Sequence, residues 1–404
     1  MEDLFLDTIE VNNLKVATKL IKESIADYSK LFHSSPAGMT ITGIEKGTFV
    51  KVNEKFLEIF GYRKEEIIGR TPVEVGIIDE MEFNKILNIR KEKGKLQNDT
   101  IKCHTKDGKI VYAIASTEVM EINGKEYSVS SFLNITKIKE QKSIIKQQHK
   151  DIVDSINYAR LIQNAIFPSQ KQIEEILPES FVLAKAKHIV SGDFYWIKKH
   201  ENKIFVSACD CTGHGVPGAF ISIIGYKLLS KFIIEYGFSN PAEILNQLNK
   251  EFSTVDKQVI DKLLEIKDGM DIALCVIDKS KMTMEYAGAY NPVYLVRKGA
   301  FTKLSVDKIP IHLFTSHTGR KFTNHKIRIE VGDTFYLFSD GYTDQFGGPR
   351  GKKFMHKNFQ ELILSIQRLT MPEQKEVFDK TIEKWQRASG EEQTDDILIL
   401  GFKV

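Results

Sequence analysis

Four aspartates in the C-terminal half of the chain each stand where an apolar run meets a turn. They are Asp193, Asp210, Asp340 and one member of the adjacent pair Asp395 and Asp396. A buried charge is costly unless it is paired or bound to a metal ion. Carboxylates gathered at strand ends are well suited to hard divalent cations, Mg²⁺ or Mn²⁺, which prefer oxygen ligands. The spacing therefore predicts a site for divalent metal ions.

The chemistry open to such a site is hydrolysis. Two ions about 3.5–4 Å apart can share a water molecule and lower its pKa from about 15.7 toward neutrality. The resulting hydroxide can attack phosphorus in line, which requires no protein nucleophile. Gly213 and Gly215 follow Asp210 and leave room for carbonyl groups and water. The alternative for each single aspartate is a helix or turn cap, but the fourfold repetition favours a metal-dependent hydrolase.

The elements that must position these residues are predicted over 180–404. Apolar strand-like runs end just before an aspartate, as in Ile204–Cys209 and Thr334–Phe338, or begin just after one, as in Ile397–Phe402. Helical segments such as Val216–Tyr236 and Glu373–Arg387 separate some of the strands. We therefore expect a layered domain with substantial antiparallel content.

Residues 136–168 form a different kind of segment, polar and rich in Lys, Gln and Ile. Apolar residues recur every seven positions, at Ile138, Ile145, Ile152, Ala159 and Ile166. A coiled coil has two apolar positions in each heptad, and here most residues at the second position are polar. Only half of a coiled-coil seam is therefore present. The pattern predicts a linker helix that pairs weakly in a parallel dimer and ends at Pro168. The alternative is a solvated connecting helix.

The N-terminal part is predicted to contain a helix over 1–27 and a small α/β domain over 28–135. The turn signals Lys106-Asp107-Gly108-Lys109 and Asn123-Gly124 indicate hairpins between strand-like runs. Ile110–Ile114 and Thr117–Ile122 are expected to be two of these strands.

Composition narrows the class of protein. The 404 residues include 57 Lys and Arg and 54 Asp and Glu, a net charge of +3, which gives no support for nucleic-acid binding. Four cysteines are too few for a disulfide scaffold, and we expect free buried thiols. The N-terminus has no signal-peptide pattern. The apolar stretch Ala219–Phe238 carries three charges and is expected to be a core helix. We therefore expect a cytoplasmic protein with no membrane span.

The blocks around the aspartates also resemble a known family. In order they are Ser191-Gly-Asp-Phe-Tyr-Trp, Asp210-Cys-Thr-Gly-His-Gly-Val-Pro-Gly-Ala, Ala287-Gly-Ala-Tyr-Asn-Pro, Phe338-Ser-Asp-Gly-Tyr-Thr-Asp-Gln-Phe-Gly-Gly and Gln393-Thr-Asp-Asp-Ile. Together they resemble the SpoIIE/RsbU branch of the metal-dependent (PPM) protein phosphatases over residues 180–404. The resemblance implies an α-β-β-α sandwich and hydrolysis of phosphoserine or phosphothreonine in a partner protein.

The resemblance also implies roles for individual residues. Asp210 would bridge two Mn²⁺ or Mg²⁺ ions, and the Cys211 carbonyl would complete the shell of the first ion. Asp193 would contact that ion, through water. Asp340 and Asp395 would hold the second ion, with Asp396 as the alternative to Asp395. The loosest assignment is Asp271, either a ligand of a third ion or a strand-start cap.

The contacts to the substrate phosphate stay open. Larger relatives in the family use an arginine near the start of the domain, and no matching arginine precedes Asp193. Lys185, Lys187 and His188 are basic neighbours that we expect to be solvated. His214 is expected to be a loop residue near the site, with metal ligation or a general acid role as alternatives. The glycine-rich segment 347–353 lacks Walker spacing and is expected to be a surface loop beside Asp340.

The domain over 28–135 resembles a PAS sensor. The motifs that carry this resemblance are Leu31-Phe-His-Ser-Ser-Pro-Ala-Gly-Met, Val52-Asn-Glu-Lys-Phe, Phe60-Gly-Tyr and Asn134-Ile-Thr. PAS domains bind small molecules or cofactors, or dimerise. Cys103 is not in a flavin-adduct motif, and His33 and His104 are isolated, so no particular ligand is predicted.

We therefore expect an α+β multidomain protein in which a PAS domain, a coiled-coil linker helix and a PPM-type sandwich form a sensor-regulated phosphatase and homodimer. Its substrate would be a phosphorylated regulatory protein such as an anti-sigma-factor antagonist. One alternative is a binding module that keeps the phosphatase fold. A second is a PAS histidine kinase with His149 as phosphoacceptor, and a third is a two-metal phosphodiesterase or nuclease.

Overall fold

The computed structural model describes residues 29–93, 95–122, 124–253, 269–312 and 320–404. The chain divides into two compact units, Met1–Lys150 and Asp151–Val404. The helix predicted over 1–27 lies outside the described residues.

The first unit contains one antiparallel five-stranded sheet in the order β2-β1-β5-β4-β3. The strands are β1 (Gly38–Gly43), β2 (Phe49–Val52), β3 (Leu96–His104), β4 (Ile110–Ile122) and β5 (Lys125–Asn134). The helices are α1 (Glu54–Phe60), α2 (Lys64–Ile67) and α3 (Glu80–Lys93). The expectation of two strands between 110 and 122 is wrong, because β4 is one strand with an unbroken ladder to β5 from Ala113 to Ile122.

Asn53 joins the first helix of this unit to its sheet. Its side-chain oxygen accepts hydrogen bonds from the backbone of Phe56 (2.9 Å), capping α1, and of Met39 (2.8 Å) on β1. Its amide donates to the carbonyl groups of Phe32 and Ala37. One fully buried asparagine thus satisfies four backbone groups and joins helix, strand and loop.

Helix α4 spans Thr136–Ile166, as the heptad pattern predicts. The seam residues Ile138, Ile145 and Ile152 are each about 60% exposed. Near the C-terminal end of the helix, by contrast, the polar residue Gln163 is buried.

The second unit has two five-strand paths that run β14-β10-β9-β8-β7 and β12-β11-β15-β18-β6, with β13 added to the first beside β9. The first half of its strands comprises β6 (Ser180–Lys185), β7 (Phe194–His200), β8 (Lys203–Cys211), β9 (Gly269–Asp278), β10 (Thr283–Ala289) and β11 (Val293–Arg297). The others are β12 (Ala300–Leu304), β13 (Ile311–His312), β14 (His325–Arg328), β15 (Thr334–Phe338), the short hairpin strands β16 (Phe346–Gly347) and β17 (Lys352–Lys353), and β18 (Ile397–Lys403).

Helices cover both outer faces of this unit. They are α5 (Gln170–Ile176), α6 (Val216–Ser230), α7 (Pro241–Ser253), α8 (Gly341–Asp344), α9 (Met355–Ser365) and α10 (Met371–Arg387), and a π-helical turn, Lys231–Glu235, continues α6. Val206, Phe335 and Leu400 belong to the core between the sheets. The helices α6 and α7 pack on one sheet, and α9 and α10 pack on the other. The predicted α-β-β-α sandwich is confirmed.

The apolar stretch of α6 and its π-helical turn, Val216–Glu235, is long and apolar enough by length and composition to cross a membrane. Half of that window is buried inside the structure, and its residues Leu229, Phe232 and Ile233 are part of the hydrophobic core. The stretch packs as a core helix of this unit. All four cysteines are free and buried, as predicted.

Candidate functional site

The predicted aspartates lie at the ends of neighbouring strands. Phe194 pairs with Cys209, so Asp193 and Asp210 emerge together from the edge formed by β7 and β8. In the other sheet Phe338 pairs with Ile399, which sends Asp340 and Asp395 out at one edge. Strand register therefore brings residues far apart in sequence to two adjoining edges.

A hydrogen bond joins these two edges. The backbone N–H of Asp340 donates to Oδ2 of Asp210 at 3.4 Å. Asp271 lies directly opposite Asp210 in the ladder between β8 and β9. The strand ends thus form one carboxylate cluster, which we define as Asp193, Asp210, Asp271, Asp340 and Asp395.

Burial and mutual repulsion disfavour the charged form of these carboxylates. Burial is the main cause that raises the pKa of Asp210 well above its usual value, followed by the charges of Asp340 and Asp271. Burial also raises the pKa of Asp340, and burial followed by Asp340 raises that of Asp271 to about 7. A bound cation would remove both penalties, because it replaces lost hydration and screens like charges.

Asp193 carries the most direct sign of a missing partner. Its pKa is raised well above the usual value by burial, then by Asp210, and a hydrogen bond from the Ser339 side chain opposes this only in part. Its Oδ2 atom is buried without a hydrogen-bond partner. A buried carboxylate oxygen without a donor is unfavourable, and its chemistry fits a cation or a cation-bound water.

The two adjacent aspartates have different surroundings. Asp396 is buried, and its carboxylate accepts hydrogen bonds from the backbone N–H groups of Lys187 and Gly192, both at 2.7 Å. Asp395 is more exposed and accepts only the neighbouring N–H of Asp396 among the hydrogen bonds found for its side chain. Asp396 therefore holds the loop that carries Asp193, while Asp395 has free acceptor capacity toward the cluster.

Cys211 ends β8 with its side chain buried. Burial raises the pKa of its thiol well above the usual value, so the thiolate needed for ligation by sulfur is disfavoured. A β-carbon at Gly192 would lie 3.0 Å from the Cys211 carbonyl oxygen and 2.7 Å from the Gly213 carbonyl oxygen. Any β-carbon at Gly218 would lie 2.1 Å from the same Gly213 oxygen. The absence of side chains at Gly192, Gly213 and Gly218 thus allows their backbones to pack together.

The cluster is not a closed ligand cage. Within the described ranges, no three or more His, Cys, Asp or Glu side chains already converge on one point as a preformed metal site. Mutual repulsion between carboxylates gives a physical reason for their separation, since each raises the pKa of its neighbours.

Basic residues near the cluster are mostly engaged elsewhere. Lys185 forms ion pairs with Asp379 and Glu383. The exposed rings of His188 and His214 face each other, with Nε2 and Nδ1 3.0 Å apart. His214 therefore lies on the loop after Asp210 and contacts another histidine, as expected of a loop residue near the site.

Sequence reasoning did not single out Gln163 of α4. Its amide donates to the Ser191 carbonyl at 2.7 Å and to the Ser222 hydroxyl at 3.0 Å, and its oxygen accepts from the Ser191 N–H at 3.2 Å. Its spacing from Ala159 and Ile166, four and three residues away, puts this polar side chain on the same face of the helix as the seam. Because most companion positions of the seam are also polar, the sequence pattern gave no signal that distinguishes Gln163.

Comparison with known proteins adds independent information. Residues 200–404 match the family described as Stage II sporulation protein E (SpoIIE), and residues 36–137 match a PAS domain. The phosphoserine phosphatase RsbU of Bacillus subtilis (strain 168) is 24% identical over 291 residues, which make up 72% of this chain and 82% of the relative. The SiaA-PP2C domain of Pseudomonas aeruginosa superposes with a TM-score of 0.55 at 31% identity, covering 64% of this chain and 98% of that domain.

Proposed function

Because the chain belongs to the SpoIIE family of metal-dependent protein phosphatases and carries a PAS domain ahead of that region, we propose that its carboxylate cluster binds two divalent cations and hydrolyses a phosphorylated regulatory protein. This membership excludes the histidine-kinase alternative, and His149 is an exposed residue of α4. The single observation that carries the proposal is the unpartnered, buried Oδ2 of Asp193 among carboxylates of raised pKa.

Each residue of the cluster has a proposed role. Asp210, which accepts the Asp340 N–H across the two edges, would serve both ions, and Asp193 and the Cys211 carbonyl would help to hold the first. Asp340 and Asp395 would hold the second. Asp395 is preferred to Asp396 because the Asp396 carboxylate already accepts two backbone N–H groups. Asp271 is left for a third, looser ion. Bound Mn²⁺ or Mg²⁺ would supply an activated water and neutralise phosphoryl charge.

The proposed substrate is phosphoserine or phosphothreonine in a small regulator, such as an anti-sigma-factor antagonist. RsbU, the curated relative, is a phosphoserine phosphatase. Asp340 and Asp395 are exposed at loop ends of the sandwich, which suits a phosphorylated side chain presented by a protein surface.

We also attribute sensor control to the PAS domain. A cavity of about 310 Å³ lies within it, and its lining includes the polar residues Thr40, Thr117 and Ser130 and the apolar residues Phe49 and Ile101. Its ligand is not assigned. Helix α4 would transmit the signal as a rotation or a change in a homodimer, and Gln163 connects its end to the loop that carries Asp193.

Hydrolysis of p-nitrophenyl phosphate tests the central proposal. We expect turnover that requires Mn²⁺ or Mg²⁺ and falls at least a hundredfold in Asp210→Asn and Asp340→Asn, since both remove a ligand charge. Asp278→Asn is the matched control, because Asp278 lies at the far end of the strand that carries Asp271. Metal binding with no turnover, even toward phosphoproteins, would instead favour the binding-module alternative.

Sensor control has its own test. Deletion of residues 1–135 should change the rate in either direction while the remaining chain still melts cooperatively. An unchanged rate would contradict control by the PAS domain.

A further inference from the structure

The glycine-rich segment after Asp340 forms a hairpin beside the cluster. Helix α8 is followed by β16 (Phe346–Gly347) and β17 (Lys352–Lys353), which pair antiparallel. The connecting turn carries Arg350, so three cations lie within this short segment. None of the residues proposed to hold the metal ions belongs to this hairpin.

The hairpin is firmly attached to the domain. The Gly348 N–H donates to the Trp385 carbonyl at 2.7 Å, and the indole N–H of Trp385 donates to the Gln345 carbonyl at 3.2 Å. The Gln345 side chain accepts from the N–H of Thr394 at 3.0 Å. Because Thr394 immediately precedes Asp395, these bonds hold the hairpin in a fixed position relative to that carboxylate.

Strand alternation gives the two lysines of β17 different surroundings. Lys352 pairs with Gly347, and a β-carbon at Gly347 would collide with Trp385, so this pair faces α10. Lys353 pairs with Phe346 and points the other way. Its Nζ lies 2.6 Å from Oδ2 of Asp344.

A backbone hydrogen bond connects the partner of Lys353 to the cluster. The Asp344 N–H donates to the Asp340 carbonyl at 2.9 Å, so the carboxylate that binds Lys353 lies one helical turn from Asp340. Asp344 and Asp340 in turn contribute to a raised pKa of Lys353. The ammonium group therefore stays charged and lies beside the proposed second metal position, where a phosphoryl group would need a cation.

We infer that Lys353 binds a non-bridging oxygen of the substrate phosphoryl group, and that Asp344 orients it for this contact. The inference rests on the proposed phosphatase function. It supplies a cation where the sequence lacks the arginine expected near the start of the domain. A lysine ammonium has three donors and no acceptor, so it can keep its bond to Asp344 while it donates to phosphate. The Phe346 ring also faces this ammonium group, with its centroid 5.9 Å from Nζ.

Binding of inorganic phosphate to the full-length, Mn²⁺-loaded chain tests this contact by calorimetry. Lys353→Gln should weaken phosphate binding at least tenfold, because a charge-assisted hydrogen bond is lost. Lys353→Arg should keep it within about threefold of wild type, since the charge is retained. Lys352→Gln is the matched control and should bind phosphate as wild type does. Mn²⁺ affinity, measured in the same way, should not fall in any of the three variants.

The outcomes separate this inference from the proposed function. A wild-type chain that binds Mn²⁺ and phosphate, with equal phosphate affinity in Lys353→Gln, overturns the role of Lys353 alone. A wild-type chain that binds no Mn²⁺ overturns the metal site and the inference with it. Lys353→Met keeps the apolar stem and gives the same readout if the glutamine variant fails to fold.

Discussion

Gln163 and Ser191 form a two-way hydrogen bond, in which the side-chain amide of Gln163 both donates to and accepts from the Ser191 backbone. Ser191 is two residues from Asp193, and its hydroxyl accepts the Asp193 N–H at 3.1 Å. Hydrogen bonds from Gln163 to Ser191, and from the Asp193 N–H to Ser191, thus link the end of helix α4 to the backbone of Asp193.

Loss of the Gln163 amide should weaken the site. Gln163→Ala removes the hydrogen-bond partner of the Ser191 N–H and the shorter of two hydrogen bonds to the Ser191 carbonyl, which keeps the Ser222 hydroxyl at 3.4 Å. We expect this loss to cost about 1–3 kcal/mol. We expect about tenfold lower Mn²⁺-dependent turnover together with weaker Mn²⁺ binding by calorimetry. Asn164→Ala, an exposed neighbour on the same helix, is the control. Wild-type Mn²⁺ affinity and turnover in Gln163→Ala would contradict this coupling.

The adjacent aspartates should separate into a ligand and a structural residue. Asp396→Asn removes charged acceptors from two backbone N–H groups, so we expect the melting temperature to fall by about 5 °C or more. Asp395→Asn should leave the metal-free melting temperature nearly unchanged and weaken Mn²⁺ binding at least tenfold. Thermal melts and calorimetry on both variants measure this. The reverse pattern would assign the ligand role to Asp396.

Metal removal should make stability depend on pH. Asp271 has a pKa of about 7 in the folded chain against a usual 3.8, so the folded state binds its proton more tightly than the unfolded state. Its contribution to stability is full below about pH 4 and is lost as the pH rises through about 7. In EDTA, we expect melting temperatures that fall across this range.

Two comparisons check that assignment. Asp271→Asn should flatten the decline, because the group no longer ionises. Added Mn²⁺ should raise the melting temperature most at the upper end of the range, since a cation that binds the folded chain stabilises it. A wild-type decline that persists unchanged in Asp271→Asn would point to other groups.

The exposed seam of helix α4 should mediate self-association. Ile145→Asp combined with Ile152→Asp puts charges at two seam positions, which are 64% and 60% exposed in the single chain. We expect a wild-type dimer to dissociate at least tenfold more readily in the double variant. Lys150→Asp, off the seam, is the control, and sedimentation equilibrium is the measurement. A monomeric wild type would contradict dimerisation through this helix.

Local features of the fold were predictable because they depend on nearby residues. Thr334–Phe338 is an apolar run bounded by turns, and the strand has those bounds. Asn53 precedes an amphipathic helix and caps it. The long β4 was missed because its continuity depends on the ladder to β5, which the local sequence does not encode.

The parts of the site that escaped prediction depend on packing between distant segments. The sequence could not decide between Asp395 and Asp396, since the distinction arises from contacts with Lys187 and Gly192, about 200 residues earlier. The burial of Gln163 likewise depends on Ser222 of α6. The sequence motifs thus identify which residues form the site. The role of each residue depends on strand register and on side-chain contacts between distant segments.

The contact among Gly192, Gly213 and Gly218 has a mechanical consequence. Main-chain atoms touch there without side chains between them, so there are no rotamers to absorb a small displacement. A shift of the Ser191–Asp193 loop would pass undamped to the Gly213 carbonyl and to the start of α6. The same packing predicts a narrow tolerance in evolution: even alanine at Gly192 or Gly218 would separate the loops, so variation in this protein must occur around the site and not within this contact.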